Sequence, residues 1–416
     1  MLTRVNPEWL NSEAKKPYRL GPEFLNSPLH LVNGVRVGMV PGLGTPQRFA
    51  QMLLVTQDHL AKCAELDFFS AAMFVPEVAQ LGNSLKEISE LGAEAERKLA
   101  ALPSMSDDMV TATVYELLVG AACVRKGLKL TMVEENRERK VPDYQITGLA
   151  PTPVAIECKR RLGLTVYELD EANYVEELYK LVRPALHDRG THGSIEVVFN
   201  VPVRAVSQTD FIEAALTIVG QKAPSKSKVT QWGALTFHPL PYLRSIRRTR
   251  LYAPDFLEQV FEWDTLQDEW DGLLCEVEPP REIIVELVRS PLCLKWRSES
   301  EEALRKKTRG ITSLWADAVK QIPDGELGFI YIAYQEGARP QIADARTSAI
   351  VRSGTEVWHR WSVLIPMMLV NRLYARCTGV GMPDLIESVL VAPAKGEELW
   401  EDKFPWQVFT AQTKQK

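Results

Sequence analysis

Apolar residues recur at helical spacing over much of the amino-terminal half of this chain. Residues 46–101 carry this pattern in two stretches, and residues 106–126 continue it. Farther along, short apolar runs bounded by glycine and proline are typical of strands. Because helical and strand patterns alternate through the rest of the chain, we predict an α/β protein.

The middle of the chain gives the clearest order of elements. The helix over residues 106–126 is predicted to be capped by Ser104 or Ser106 and to end before Gly127. After it the pattern predicts three strands, a helix and a strand, at residues 128–133, 142–146, 154–159, 173–187 and 195–201.

These elements suggest a division of the chain into regions. We expect an irregular amino terminus with a helical region, a central core and a carboxyl-terminal α/β region, at residues 1–103, 104–222 and 229–416. In the last region, residues 356–376 are predicted to form a long aromatic-rich helix that Pro366 can kink.

The carboxyl-terminal region also echoes the core. LCLKWRSE, a helix and GFIYIAY follow one another as IECKRR, a helix and SIEVVFNVPV do earlier in the chain. Leu294 stands where the echo would need an acidic residue. We therefore interpret the echo as coincidental and predict no second active site.

Composition narrows the class of protein. Of the 416 residues, 45% are hydrophobic and 25% are charged, which is typical of a globular protein. The six cysteines include no CxxC pair and the six histidines do not cluster, so zinc ribbons and disulfide frameworks are disfavoured. No GxxxxGK[ST] loop is present. Without a signal-peptide core or a bilayer-spanning apolar run, we expect no membrane partner and a cytoplasmic location.

Charge does not mark the whole chain as a nucleic-acid binder. The net charge is −5, from 49 lysines and arginines against 54 aspartates and glutamates. Local basic runs are nevertheless present, since residues 244–250 read RSIRRTR and residues 305–309 read RKKTR. Charge runs are often no more than solvated surface, so neither run decides the function.

Candidate chemistry is concentrated in residues 141–161, VPDYQITGLAPTPVAIECKRR. Because side chains alternate along a strand, Glu157 and Lys159 are predicted to point the same way. If the strands on either side of residues 147–153 pair as a hairpin, Asp143 lies across from Glu157. Neighbouring carboxylates repel unless a cation lies between them, and oxygen ligands suit Mg²⁺. A lysine beside them can stabilise charge on a phosphate, so the motif indicates a metal-dependent phosphodiester site.

One further acid belongs to the same picture. Glu116 lies inside the otherwise uncharged run of residues 109–123. An acid without a partner in an apolar helix is costly unless it is at the surface or serves a site. We therefore count Glu116 among the candidate site residues.

The helix with Glu116, the strand with Pro142 and Asp143, and the strand ending in Glu157-Cys158-Lys159 resemble the PD-(D/E)XK nuclease superfamily. The resemblance covers residues 104–203 and implies the restriction-endonuclease-like fold, with an αβββαβ core. It implies that Asp143, Glu157 and the backbone carbonyl of Cys158 bind Mg²⁺ or Mn²⁺. It also implies that Lys159 positions the attacking water and that Glu116 completes the site.

The function expected from this resemblance is that of a metal-dependent nuclease acting on DNA, in restriction, repair or anti-phage defence. The added regions suggest a homodimer or a partner in a defence complex. Three alternatives stay open: a catalytically silent binding protein on the same fold, an RNA-cutting enzyme, and an unrelated α/β protein. Contacts to nucleic acid are expected from Arg160, Arg161, Lys180, Arg247, Arg248 and Arg250.

Overall fold

The structure, a computed structural model, shows a mixed α/β protein in which helices cover two separate β-sheets. The α/β class predicted from the sequence is confirmed at this level. The residues that the structure describes are 5–16, 28–33, 35–36, 46–63, 65–135, 141–161, 163–219, 225–263, 269–278, 283–323, 325–337, 339–361, 367–377, 383–392 and 404–409.

Helices and strands are numbered here in chain order. The helices are α1 (Pro7–Glu13), α2 (Arg48–Leu60), α3 (Phe68–Asn83), α4 (Leu85–Glu90), α5 (Ala93–Ala101), α6 (Asp107–Arg125), α7 (Val166–Asp188), α8 (Gln208–Val219), α9 (Pro254–Phe261), α10 (Glu301–Val319) and α11 (Pro340–Trp361). The strands are β1 (Leu29–Val32), β2 (Val35–Arg36), β3 (Leu130–Met132), β4 (Tyr144–Ile146), β5 (Val154–Arg161), β6 (Gly193–Phe199), β7 (Lys226–Thr230), β8 (Gly233–Pro239), β9 (Leu243–Arg250), β10 (Gly272–Glu276), β11 (Ile284–Arg289), β12 (Leu292–Ser298), β13 (Leu327–Gln335), β14 (Met367–Cys377) and β15 (Pro383–Ala392). None of the described helices is long and apolar enough to span a bilayer.

The six-stranded sheet has the order β15-β14-β13-β5-β4-β3. Strands β3, β4 and β5 form an antiparallel meander. On the other side of β5 lie β13 and β14, which are parallel to it, and an antiparallel β15 forms the edge. The hairpin predicted between β4 and β5 is therefore present.

The seven-stranded sheet has the order β2-β1-β10-β12-β6-β8-β7. Here β1, β10 and β12 are antiparallel neighbours, and β6 is parallel to β12. Strands β9 and β11 join neither sheet within the described chain and pair with each other as a two-stranded ribbon.

The two sheets exchange their parallel strands. The sequence predicts that the strand at residues 195–201 lies in the sheet of β5, but β6 pairs with β12 instead. Conversely, the chain leaves β12 through α10 and enters β13, which pairs with β5. The predicted αβββαβ order of residues 104–203 is therefore not one consecutive unit. Both sheets combine strands from residues 104–222 with strands from residues 229–416.

Each crossover helix packs on the sheet that it leads to. Helix α7 follows β5, yet Val175 and Leu178 lie in the core formed by β6, β8 and β12. Helix α10 follows β12, yet Trp315 and Ala318 pack against β13 and β14. An amphipathic helix is stable only where its apolar face is covered, so the packing of α7 and α10 determines which sheet the next strand joins.

Helix α6 covers the opposite face of the six-stranded sheet. Its residues Val114 and Leu118 share a core with Tyr144 and Ile156. Gly120 allows this helix to approach closely, because a Cβ atom there would lie 2.6 Å from Tyr144 Oη. The helix is thereby held against β4, the strand that follows Asp143 directly.

One predicted helix is wrong. The sequence predicts a single helix over residues 356–376, but α11 ends at Trp361 and β14 begins at Met367. Pro366, the predicted kink, lies outside the described residues. Strand β14 is buried on both faces, with Leu369 in one core cluster and Val370 in another. A strand covered on both faces has a continuous apolar run, which periodicity does not distinguish from a helix.

Candidate active site

Asp143 and Glu157 come from neighbouring strands, as the sequence predicts. Asp143 directly precedes β4, and Tyr144 at the start of β4 pairs with Ile156 in β5. The Asp143 carboxylate Oδ2 accepts a hydrogen bond of 2.7 Å from the backbone N–H of Cys158. Asp143 is thus fixed beside the residue that follows Glu157. The metal-binding role of the Cys158 carbonyl stays a prediction.

Glu157 and Lys159 form an ion pair at the end of β5. The Glu157 side chain is 0% exposed, and its Oε1 pairs with Lys159 Nζ. The Lys159 side chain is 24% exposed, so the pair connects a buried carboxylate with solvent. Among the described residues, Glu157 Oε2 has no hydrogen-bond partner. Because an unsatisfied buried oxygen is costly, this atom is a natural ligand for a cation.

Glu116 approaches from α6 and is held by a lysine. Lys98 Nζ on α5 lies 2.9 Å from Glu116 Oε2 and 3.0 Å from Glu135 Oε1. Tyr144 Oη donates a hydrogen bond of 2.8 Å to the backbone carbonyl of Glu116. Glu116 is therefore fixed to the strand that begins beside Asp143.

Sequence reasoning missed Lys98 and Glu135. A signal for Lys98 was available, because it lies three residues after Ala95 and four before Leu102, on the apolar face of its helix. A buried lysine needs an acidic partner, so this position points to an acid nearby. Glu135, by contrast, lies in an exposed loop, where sequence offers no comparable signal.

Burial and neighbouring negative charge raise the pKa values of Asp143 and Glu157. Burial raises the pKa of Asp143 well above its usual range, and the charges of Glu116 and Glu157 raise it further. Burial raises the pKa of Glu157 to about 7, although Lys159 opposes this. Burial lowers the pKa of Lys98, but its charge interaction and hydrogen bond with Glu116 outweigh burial and raise that pKa. The charged forms of Asp143 and Glu157 are therefore costly, first because the carboxylates are buried and then because acids lie near one another.

The side chains match a hard divalent cation in kind. Asp143, Glu157 and Glu116 offer carboxylate oxygens, which Mg²⁺ and Mn²⁺ prefer, and Glu157 Oε2 has no donor among the described residues. Glu157 and Glu116 are turned toward Lys159 and Lys98. In this arrangement no group of three or more His, Cys, Asp or Glu side chains in the described chain could hold a metal ion. The lysines supply the positive charge instead.

Two residues predicted to contact nucleic acid, Arg160 and Arg161, make contacts within the protein, and for Arg161 the prediction stays open. The side chain of Arg160 is 0% exposed, pairs with Glu77 on α3 and lies 4.9 Å from the ring centre of Phe409. Arg160 is therefore out of reach of a phosphate, which corrects the prediction. Arg161 donates a hydrogen bond of 2.7 Å to the carbonyl of Gly310 and so connects β5 with α10.

The remaining predicted contacts lie away from β5. Lys180 is exposed on α7, where it pairs with Glu176 at 2.6 Å. Arg247 and Arg248 are exposed on β9 in the ribbon, and Arg250 at the end of that strand is partly buried. The structure does not bring these residues together with Asp143 and Glu157 in any contact among the described residues.

A second corner with the same backbone geometry lies in the seven-stranded sheet. Asp271 directly precedes β10, and Gly272 at the start of β10 pairs with Trp296 in β12. Asp271 Oδ2 accepts a hydrogen bond of 2.8 Å from the backbone N–H of Ser298. Asp143 makes the equivalent contact with β5, and β12, like β5, has a parallel strand on its other side.

The charges of the motif are reversed in this second corner. By the strand register, Arg297 takes the place of Glu157, and Glu299 takes the place of Lys159. The echo seen in the sequence thus corresponds to equivalent elements, but Arg297 rather than Leu294 stands at the glutamate position.

Cations of the protein fill the second corner. Asp271 lies 2.8 Å from Lys307 Nζ and 2.9 Å from Arg339 Nε. Burial raises the pKa of Asp271, but these two cations outweigh burial and lower that pKa. Its charge is therefore already compensated, unlike that of Asp143.

Comparison with known proteins assigns the chain to no family. No protein-family model matches the chain, and no curated protein matches it. Its function is therefore argued from the geometry and the charges of the site.

Proposed function

We propose that this chain is a metal-dependent nuclease of the PD-(D/E)XK type that hydrolyses phosphodiester bonds in DNA. The observation that carries the proposal is the junction of β4 and β5, where Asp143 binds the Cys158 N–H and the buried Glu157 pairs with Lys159. Here Glu157 lacks one donor among the described residues, and both acids have raised pKa values.

The arrangement of elements supports a restriction-endonuclease-like core. Helix α6 and strands β3, β4 and β5 follow one another as an αβββ unit, and α10 with β13 supplies the remaining αβ from later in the chain. Likeness at the level of the fold is an analogy, so the activity is argued from the site itself.

Each acid has a role that follows from its position. Asp143 and Glu157 would hold Mg²⁺ or Mn²⁺, with Glu116 as a further ligand. When bound, the cation would supply Lewis acidity and offset the charge of the phosphate. The carboxylates are held in place by the N–H of Cys158, by Lys159 and by Lys98.

Lys159 is the side chain that faces the reaction. Hydrolysis forms a bond between a water oxygen and phosphorus and breaks the bond to the 3′ oxygen, which takes up a proton. The Lys159 ammonium can donate a hydrogen bond to the phosphate oxygens or orient the water. Burial lowers the pKa of Lys159, but the charge of Glu157 outweighs burial and raises it, so the ammonium stays protonated.

The experiment is a cleavage assay with the purified full chain. Supercoiled plasmid, linear duplex DNA, single-stranded DNA and RNA are incubated with Mg²⁺, with Mn²⁺ or with EDTA. The test variants are Lys159→Ala and Asp143→Ala. Lys320→Ala is the matched control, because Lys320 is exposed and pairs with Asp317 far along α10.

We expect DNA cleavage that needs the metal and falls at least about 100-fold in both test variants, since each removes charge stabilisation at the reacting phosphate. The control should cut as the wild type does. Cleavage that survives Lys159→Ala would contradict the proposal. DNA binding without cleavage would indicate a silent binding protein, and cleavage of RNA alone would indicate the RNA-cutting alternative.

A further inference from the structure

The ribbon of β9 and β11 has an exposed basic face that the candidate active site does not use. We propose that this face binds double-stranded DNA in the major groove. The inference rests on the proposed function, because it names how the same enzyme holds its substrate. Its test, however, measures binding in the absence of cleavage.

The inner face of the ribbon is fixed to the protein. Ile246, Val285 and Val288 pack into the core cluster that contains α9. Arg244 Nη1 donates a hydrogen bond of 3.0 Å to the carbonyl of Val260 in that helix. A ribbon held in this way presents its other face as a rigid surface, so little conformational entropy is lost on binding.

The outer face carries more positive than negative charge. Leu243 pairs with Arg289 across the ribbon, and Ser245 pairs with Leu287. The side chain of Arg248 is 71% exposed, and its acidic neighbour Glu286 is 3.9 Å away and equally open to solvent. The exposed residues of the ribbon are Leu243, Ser245, Arg247, Arg248, Glu286, Leu287 and Arg289.

Charge complementarity selects a phosphate-bearing partner. On the ribbon strands, three exposed arginines stand against one glutamate, on a chain whose net charge is −5. The acids beside the ribbon are Asp255, which interacts with Arg247, and Glu278, whose backbone N–H donates to the carbonyl of Arg289. A surface of this charge attracts a polyanion such as nucleic acid. Arginine also binds phosphate, and the edge of guanine, through two hydrogen bonds at once.

The shape of the surface selects the duplex. A two-stranded ribbon fits the major groove of B-form DNA, which is about 12 Å wide. Exposed Leu243 and Leu287 add apolar atoms of the kind that contact thymine methyl groups. The register shift between Val285 and Leu287 strengthens the local twist of the ribbon. The major groove of an RNA duplex is deep and narrow, so the same ribbon does not enter it.

The test measures binding by the full chain in EDTA, using the fluorescence anisotropy of labelled nucleic acid. The probes are a mixed-sequence DNA duplex, the RNA duplex of the same sequence and one DNA strand alone. In the ribbon variant Arg247, Arg248 and Arg289 are replaced by Ala. A second variant replaces the same three residues by Lys, which keeps the charge and shows that a loss of binding is not a loss of folding.

A matched control removes the same amount of charge elsewhere. Arg97, Arg204 and Lys320 are exposed on other elements, and Ala at these three positions lowers the net charge equally. We expect the ribbon variant to lose at least about tenfold in affinity for the DNA duplex, with a salt slope lower by about 3. The control and the Lys variant should retain most of the affinity.

Three results would overturn the inference: equal losses in the ribbon variant and the control, equal binding of the RNA and DNA duplexes, or no binding of DNA by the wild type. Its failure differs from failure of the proposed function. Ribbon-dependent binding without cleavage under Mg²⁺ would reject the nuclease and keep the ribbon surface. Metal-dependent cleavage, together with DNA binding that the ribbon variant retains, would support the nuclease and reject the ribbon surface.

Discussion

Two lysines balance part of the charge at the candidate active site. Lys159 pairs with Glu157, and Lys98 pairs with Glu116, while Asp143 receives a backbone N–H from Cys158. The acids therefore fold into a buried position at a tolerable cost. Because burial, followed by repulsion from Glu116 and Glu157, still raises the pKa of Asp143, an added cation has a favourable place to bind.

Replacing Lys98 by Gln tests this balance. The change leaves Glu116 without its ammonium partner, so we expect the free energy of unfolding in EDTA to fall by about 1–3 kcal/mol. Saturating Mg²⁺ should restore part of the loss, because it supplies positive charge to the same acids. Thermal melting with Mg²⁺ and with EDTA measures both effects.

Arg97→Gln is the control for that experiment. Arg97 directly precedes Lys98 in the same helix, and its ion pair with Glu94 is at the surface. An exposed pair contributes little, so the free energy of unfolding should not change measurably and should not depend on Mg²⁺. If Lys98→Gln behaves like this control, Lys98 does not balance the site.

At the residue scale the sequence predicted the motif but not its partners. Glu157 and Lys159 could be assigned to one face because strand alternation fixes side-chain direction within a few residues. The partner of Glu116 could not be assigned, because Lys98 lies on another helix and only tertiary packing brings the two together. The same limit explains Arg160, whose buried partner Glu77 lies on α3.

At the scale of elements, the contact between α6 and β4 places Glu116 near Asp143. Tyr144 packs under Gly120 and donates a hydrogen bond to the carbonyl of Glu116. A Cβ atom at position 120 would lie within 3 Å of Tyr144 Oη and a Leu91 methyl group, so these buried side chains or the helix would have to shift.

Gly120→Ala should therefore destabilise the protein, although alanine favours helices. We expect overpacking to lower the free energy of unfolding by about 1–3 kcal/mol, measured by chemical denaturation. Gly82→Ala is the matched control, because a Cβ there meets no atom within 4 Å. That change should stabilise by about 0.5 kcal/mol, as expected for a helical glycine in open space. Equal effects of the two changes would show that α6 can shift freely.

Elements bounded by clear cap and turn residues were predicted well. The helix predicted at residues 106–126 is α6, Asp107–Arg125, and the predicted strands on either side of the turn are β4 and β5. Strand β14 was mistaken for helix because both of its faces are buried. In a continuous apolar run such as that of β14, the spacing of hydrophobic residues does not distinguish a strand from a helix.

At the scale of the whole molecule, the exchanged strands give two corners with opposite electrostatics. Asp143 and Asp271 bind equivalent backbone N–H groups, but only Asp271 also meets Lys307 and Arg339. The first corner is left with excess negative charge, and the second stabilises the fold with its own cations. The chain should therefore bind a divalent cation at only the first of these corners.

Asparagine at these two aspartates should have opposite effects on stability. Asp271→Asn removes the carboxylate that two buried cations share and leaves Lys307 only Glu171 and Arg339 only Glu299, so unfolding should become easier by about 3 kcal/mol. Asp143→Asn removes a repelled charge and should leave stability unchanged or raised when EDTA is present at neutral pH. Chemical denaturation of the two variants measures this contrast. Equal losses in the free energy of unfolding would refute it.

The same contrast has a pH dependence. The folded pKa of Asp271 lies below its ordinary value of 3.8, so its contribution to stability is present above that value and is lost as the pH falls below it. The wild type should therefore lose stability in acid that the Asp271→Asn variant does not have to lose. The difference in the free energy of unfolding between the two proteins should become smaller as the pH falls. A gap that is constant with pH would show that the charge of Asp271 is not what stabilises this corner.

The exchange itself could not be read from the chain. Strands β6 and β13 are both apolar and both follow a helix, so either could pair with β5 by local pattern. The choice depends on which sheet covers α7 and α10, and this is a property of distant contacts. The register of β10 and β12 likewise showed that Arg297, not Leu294, matches Glu157.

The most direct measurement is isothermal titration calorimetry of Mn²⁺ binding to the full chain. The wild type should bind Mn²⁺ at one site per chain, and Glu157→Gln should abolish this binding, because it removes the buried carboxylate whose Oε2 has no donor among the described residues. Glu177→Gln, at an exposed position on α7, should bind as the wild type does. Absence of Mn²⁺ binding, or binding that Glu157→Gln leaves unchanged, would contradict the metal site on which the nuclease depends.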